Sequence, residues 1–205
     1  MKNRILISFL CVAVLLAGCG SSAASSDAAT ASQSNEKNYV TPAGEFINSL
    51  PTFEVTSENL SNGVWDKRIA STDSKGENLS PQVSWAPVDN AECYMLYMMD
   101  LSAGWIHMKY RTEKTSLDLA EVTNASDLES SWGYVGPYPP KGEPHSYVIY
   151  VLALKSADTA KNPGVKNSIN NLTLDKMFSM LDKTADGAEG NVLAIGDVGG
   201  TYTLK

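Results

Sequence analysis

From Phe53 onward the order of apolar and polar positions reads mostly as strands. Phe53 and Val55 alternate with polar neighbours, and Val83 and Trp85 do so after the turn Asn78-Leu79-Ser80-Pro81. Cys93 to Met99 is a nearly unbroken apolar run, which predicts a central strand covered on both faces. Trp105 to Arg111 alternates, assigning Trp105, His107, Lys109 and Arg111 to one side and Ile106, Met108 and Tyr110 to the other. Tyr147 to Leu154 predicts another buried strand, and short strands are expected around Val192 to Ile195 and Thr201 to Leu204. One helix stands out, with Thr173 as N-cap and Leu174, Met177, Phe178 and Leu181 at i, i+3, i+4 and i+7. Many strands separated by turn signals predict a mostly β fold, a two-sheet Greek-key-like β-sandwich with a few short helices.

The N-terminal 50 residues follow a different pattern. Lys2 and Arg4 precede an apolar stretch from Ile5 to Leu16, too short to span a bilayer as a helix and typical of a signal peptide. Leu16-Ala17-Gly18-Cys19 resembles the lipobox of bacterial lipoproteins, which is cut before the cysteine. The resemblance implies a signal peptide over 1–18 and acyl chains on Cys19, with the protein held at the outer face of a bacterial cytoplasmic membrane. Two or three chains, at about 0.8 kcal/mol per buried methylene, anchor durably where one is marginal. Residues 20 to 38 are Ser, Ala, Thr, Asn and Gln with little that is apolar, so 19–50 is expected to be a flexible tether and 51–205 the domain. A flexible chain of this length has an r.m.s. span of roughly 30 Å.

Cysteine and charge narrow the classes. With Cys11 removed and Cys19 lipidated, Cys93 is the single thiol left, so the fold rests on its core and not on a disulfide. The chain carries a net charge of −7; without Lys2 and Arg4, 14 basic residues face 23 acidic ones, a net of −9. That balance argues against nucleic acid and against a polybasic grip on anionic lipid.

The chemistry concentrates around the only two histidines. His145 follows a loop stiffened by Gly136-Pro137-Tyr138-Pro139-Pro140 and is two residues from Tyr147, so both project from one strand face. Asp100 ends one strand and His107 lies on the next, six residues intervening, so the two are expected to face each other near the mouth of a hairpin. A carboxylate beside an imidazole sets its tautomer, a phenol adds a donor, and backbone N–H groups around Gly136 complete an anion nest. Such a set suits phosphate, a phosphomonoester or a carboxylate. Each residue also has a structural reading: a hydrogen-bonded strand histidine, a core tyrosine, an aspartate capping a turn. Ser102, beside Asp100, reads as a turn residue.

Taken together, these segments resemble the phosphatidylethanolamine-binding protein family, also called the Raf kinase inhibitor protein family, in its bacterial branch. The resemblance runs from about Phe53 to Leu204. It rests on Phe53, Ser57, Gly63, Gly76, Asn78, Ser80-Pro81 and Trp85, then Asp100, Trp105 and His107. Gly136-Pro137-Tyr138-Pro139-Pro140 with Gly142 and His145-Ser146-Tyr147 is its most specific part, and Gly190-Asn191-Val192-Leu193-Ala194 and Gly200-Thr201-Tyr202 close it. It implies a two-sheet β-fold with a small anion pocket at one end, lined by Asp100, His107, His145 and Tyr147, with Gly136 at a backbone donor position. The family's usual Asp-Pro-Asp-x-Pro after the apolar strand is here Asp100-Leu101-Ser102. Ile106 and Ser146 stand where a histidine or aromatic and an arginine are common, which implies a more open rim.

The expected function is a membrane-tethered binding module that captures a small anion or a phospholipid-headgroup-like ligand. An inhibitor of proteases or kinases acting through its surface, with an unidentified protein partner, is the alternative. A metal-dependent hydrolase using the two histidines and Asp100 is a third reading. No His-x-His, HExxH or nucleophile-elbow spacing is present, so no catalytic residue, metal or cofactor is expected.

Overall fold

A computed structural model describes residues 39, 44–126, 128, 131–159 and 171–205, and among these described residues there are ten strands and two α-helices. Cys19, the expected signal peptide and most of the expected tether lie outside the described residues. The elements in order are α1 (Glu45–Ser49), β1 (Thr52–Thr56), β2 (Leu60–Ser61), β3 (Val64–Trp65), β4 (Val83–Trp85), β5 (Cys93–Asp100) and β6 (Trp105–Thr112). They continue with β7 (Ser116–Leu117), β8 (Gly133–Tyr134), β9 (Pro144–Leu154), α2 (Asn171–Ser179) and β10 (Val192–Thr203).

The mostly β expectation holds, but the strands form one curled sheet where two stacked sheets were expected. Its order is β7-β4-β1-β10-β9-β5-β6-β8, with β3 pairing β10 and β2 pairing β3. The continuity comes from β1. Its first residues, Thr52 to Glu54, run parallel to Ile195–Asp197 of β10, and its last, Val55 and Thr56, pair antiparallel with Trp85 and Ser84 of β4. A single strand thus serves two neighbours, and the sheet bends through it.

The central strands are buried on both sides, as the apolar runs require. Inside the curl, Leu96, Met98, Ile149 and Val151 pack with Val55, Trp65, Val83 and Trp85. On the outer face Tyr97, Met99, Tyr150 and Leu152 pack against Leu174, Met177, Phe178 and Leu181, the stripe read from the sequence. Burying each such side chain contributes about 1.5–3 kcal/mol, which is where a disulfide-free fold finds its stability.

Both helix ends differ from expectation. α2 begins at Asn171, so Thr173 lies within its first turn and is not its cap. Residues 45–49, expected in the tether, form α1, because two contacts hold them: the Ile47 side chain is buried, and Asp175 of α2 accepts from the N–H groups of Ile47 at 2.8 Å and Phe46 at 3.4 Å. No helix among the described residues is long and apolar enough to cross a membrane.

Candidate functional site

Asp100, the last residue of β5, sits at the centre of the site and pairs with Trp105 across one strand boundary and with Tyr147 across the other. It is almost wholly buried. Its two oxygens do different work. Oδ1 accepts the backbone N–H groups of Ser102 at 2.8 Å and Ala103 at 3.0 Å, shaping the hairpin turn. Oδ2 meets Nδ1 of His145 at 2.7 Å. The turn-capping reading is therefore realised, and the second oxygen orients the His145 ring. The expected Asp100–His107 pairing is not: Asp100 lies opposite Trp105, and its imidazole partner comes from β9.

His107 reaches the same face by a route that alternation could not foresee. Met98 pairs with Met108 while Met99 pairs with Ile106, so His107 is the extra residue of a β-bulge. The bulge changes the face of everything beyond it. Met108 and Tyr110 pack inside the curl, whereas Ile106 belongs to the outer core. Lys109 and Arg111 pair with Tyr97 and Met95, which also point to the outer core, so they are not on the side of His107 as alternation assigned them. Lys109 is buried there, its Nζ donating to the Leu128 carbonyl at 3.0 Å and lying 5.5 Å from the Trp132 ring centre.

The His107 backbone and ring are clamped by one residue. Val135 donates its N–H to the His107 carbonyl and accepts from Nδ1 of the ring, both at 2.8 Å. A carbonyl can only accept, so the proton of the ring is on Nδ1. Burial pushes the His107 pKa below its ordinary 6.5, opposed by the hydrogen bond to Val135 and by the charge of Asp100.

Tyr147 stands between the two imidazoles. Its ring centre is 5.1 Å from that of His107, edge to face, and 6.4 Å from that of His145. Trp65 donates its indole N–H to the Tyr147 carbonyl at 2.9 Å, fixing the backbone beneath it. The hydroxyl is buried and makes no hydrogen bond of standard geometry. Burial first and the Asp100 charge second raise its pKa well above that of a free phenol, so it stays a donor.

Gly136 also comes to the site, in a structural role. A Cβ at this position would run into the Ile69 carbonyl oxygen and the Ser71 nitrogen, so glycine lets the segment lie flat on that shelf. Its N–H, expected as an anion donor, is already given to Oδ1 of Asn78 at 2.7 Å. Sequence reading treated Asn78 as part of a turn. Its φ of 56°, in the left-handed region that asparagine tolerates, is the signal that points to more. Pro137 accepts from Ser71 at 3.0 Å and Tyr134 donates to Ile69 at 2.6 Å, completing the dock.

Trp105 and Tyr138 are the large exposed side chains of the segments that frame these groups. Among the described residues no cluster of three or more His, Cys, Asp or Glu side chains is arranged for a metal ion. A cavity of about 200 Å³ lies away from the histidines, lined by Met95, Arg111, Trp132, Leu154 and Leu181 among others.

A fold of this topology has known counterparts. Comparison with protein families matches residues 48–203 to the phosphatidylethanolamine-binding protein family, and the chain belongs to it. Two solved bacterial structures are similar in fold. YbcL of E. coli, described as a member of the mammalian PEBP family, is 22% identical, with a TM-score of 0.54 over 75% of this chain and 99% of that one. The phosphatidylethanolamine-binding protein homologue CT736 of Chlamydia trachomatis is 19% identical, with a TM-score of 0.53 over the same shares. No curated protein matches the chain.

Proposed function

We propose that this protein is a ligand-binding module that captures a small oxyanion (phosphate, a phosphomonoester or a carboxylate) through His107, His145 and Tyr147, with Asp100 and Gly136 holding them. Cys19 would carry the lipid that keeps the domain at the outer face of a bacterial cytoplasmic membrane. The observation behind this reading is the buried Tyr147 hydroxyl, which makes no hydrogen bond of standard geometry, lies beside the Asp100 carboxylate and is set against two histidine rings. An unsatisfied buried hydroxyl costs about 1–3 kcal/mol, a cost that a bound oxygen atom removes.

Titration with inorganic phosphate and O-phosphoethanolamine, followed through the imidazole NMR signals, tests the site. Both rings shift together at millimolar ligand if the reading is right; two unmoved histidines refute it. Mass spectrometry of the membrane fraction tests the tether, where a Cys19→Ser protein without added acyl mass and released from the membrane is expected.

The exposed Trp105 and Tyr138 favour a second reading, an inhibitor or interaction protein acting through its surface. Partner capture that survives His145→Ala supports it over the anion site.

A further inference from the structure

The outer face of the sheet carries a second concavity, at the end of the central strands opposite the histidines. Met95 lies five residues up β5 from Asp100, roughly 17 Å at about 3.4 Å per residue. It lines the cavity of about 200 Å³, together with Leu154 at the end of β9 and Leu181 just after α2. All three are buried, so the floor is apolar.

The walls are held in place by the protein itself. Asn191, almost wholly buried, donates from its amide to the Leu181 carbonyl at 3.0 Å and to the Ser156 carbonyl at 3.2 Å. It thereby joins the segment after α2 to the turn after β9. Arg111 of β6 donates from Nη1 to the Ala157 carbonyl at 3.1 Å, and both residues line the cavity, so the guanidinium stands at its edge. That bond uses one of five N–H donors, and Arg111 makes no ion pair among the described residues. Trp132 is a further wall, with Nζ of Lys109 5.5 Å from its ring centre. Asp158, the other charged residue of the lining, is exposed.

These features call for two different things in one molecule. A closed apolar cavity of about 150 Å³ is enough to admit benzene. A guanidinium with donors to spare presents a planar fork that matches a carboxylate. We infer that this cavity is a second ligand site, separate from the histidines, for a small monocarboxylate with an apolar body about the size of a phenyl ring. The carboxylate meets Arg111 and the body lies against Met95, Leu154 and Leu181. Asp158 repels a second negative charge on the ligand, which disfavours dicarboxylates.

NMR titration of the full-length protein in a sugar-based detergent, with phenylacetate and its neutral isostere phenylacetamide as probes, tests this. Phenylacetate at millimolar concentration should shift the Trp132 indole and Met95 methyl signals. Read at those signals, it should bind about tenfold more tightly than phenylacetamide, the difference expected of one charge-assisted contact. Arg111→Gln should remove that difference. Ala157→Phe, which fills the space from an exposed turn, should abolish binding of both probes at Trp132. Unchanged histidine signals in the free variants report that each is folded. Equal affinity of the two probes for the wild type, a preference that survives Arg111→Gln, or shifts confined to the histidine rings each overturns the inference. Silence of both probes at Trp132 and Met95 overturns it too, and leaves a cavity that holds water alone.

Discussion

Asp100 and His145 are joined at 2.7 Å across 45 residues of sequence, and the same carboxylate also holds the turn that follows it. Removing it therefore undoes two things at once. Asp100→Ala leaves two backbone N–H groups and a ring nitrogen without their acceptor in a nearly closed environment. The expected loss of stability is about 2–4 kcal/mol, against about 1 kcal/mol for His145→Ala, which leaves the turn intact. Urea denaturation of the two variants checks the order; equal losses would show that the turn does not depend on Asp100.

His107 makes stability depend on pH in a defined direction. Its pKa in the folded protein is below the ordinary 6.5, so the native state binds fewer protons than the unfolded state wherever the two titration curves differ. The stability linked to His107 is complete above pH 6.5, declines as pH falls through the folded pKa, and then levels off. His107→Gln keeps a donor for Val135 but cannot titrate. Wild type should lose more stability than this variant between pH 7 and pH 5, as read from denaturation midpoints. Parallel decline of the two proteins would contradict this account.

Asn78 positions the site without belonging to it. Asn78→Gly keeps the left-handed φ of 56° and removes only the acceptor for the Gly136 N–H. Expected are a loss of about 1–3 kcal/mol and a displaced His107 ring signal, transmitted through neighbouring Val135, with His145 unmoved. Gly136→Ala should be worse, because its methyl group would press on backbone atoms of Ile69 and Ser71. Two-dimensional imidazole spectra with melting curves would distinguish these outcomes.

The clamp between the helices offers a test remote from the site. Asp175→Ala removes the acceptor at the start of α1, a loss of about 1 kcal/mol for a helix cap. Amide exchange at Phe46 and Ile47 should accelerate while β5 and β9 stay protected. Gly44→Ala should loosen the same helix by a different route, since its methyl group would overlap the Asp175 carboxylate.

How much of this was legible beforehand depends on the range of the interaction. The strand pair His145 and Tyr147 shares a face because two residues make one pleat, and Leu174, Met177, Phe178 and Leu181 share one because four residues make about one helical turn; both follow from the chain alone. The bulge at His107 carries no such mark. A classic bulge needs no glycine or proline, and its energetic justification is the clamp by Val135, in the segment that follows β8. The face assigned to Lys109 and Arg111 failed for that reason. The bond between Asp100 and His145 was equally hidden, because nearness in sequence favoured His107.

The order of residues by itself determined that the chain is mostly β, which runs would be buried on both faces, and which side chains carry ionisable chemistry. Those are local properties, set by backbone periodicity and by the transfer of apolar groups out of water. Only the tertiary structure decided that β1 serves two neighbours so that the strands join in one curled sheet, that Asp100 answers to His145, and that Gly136 spends its N–H on Asn78. These choices turn on pairings between segments far apart in the chain, whose energies are realised only once the intervening core has brought them together.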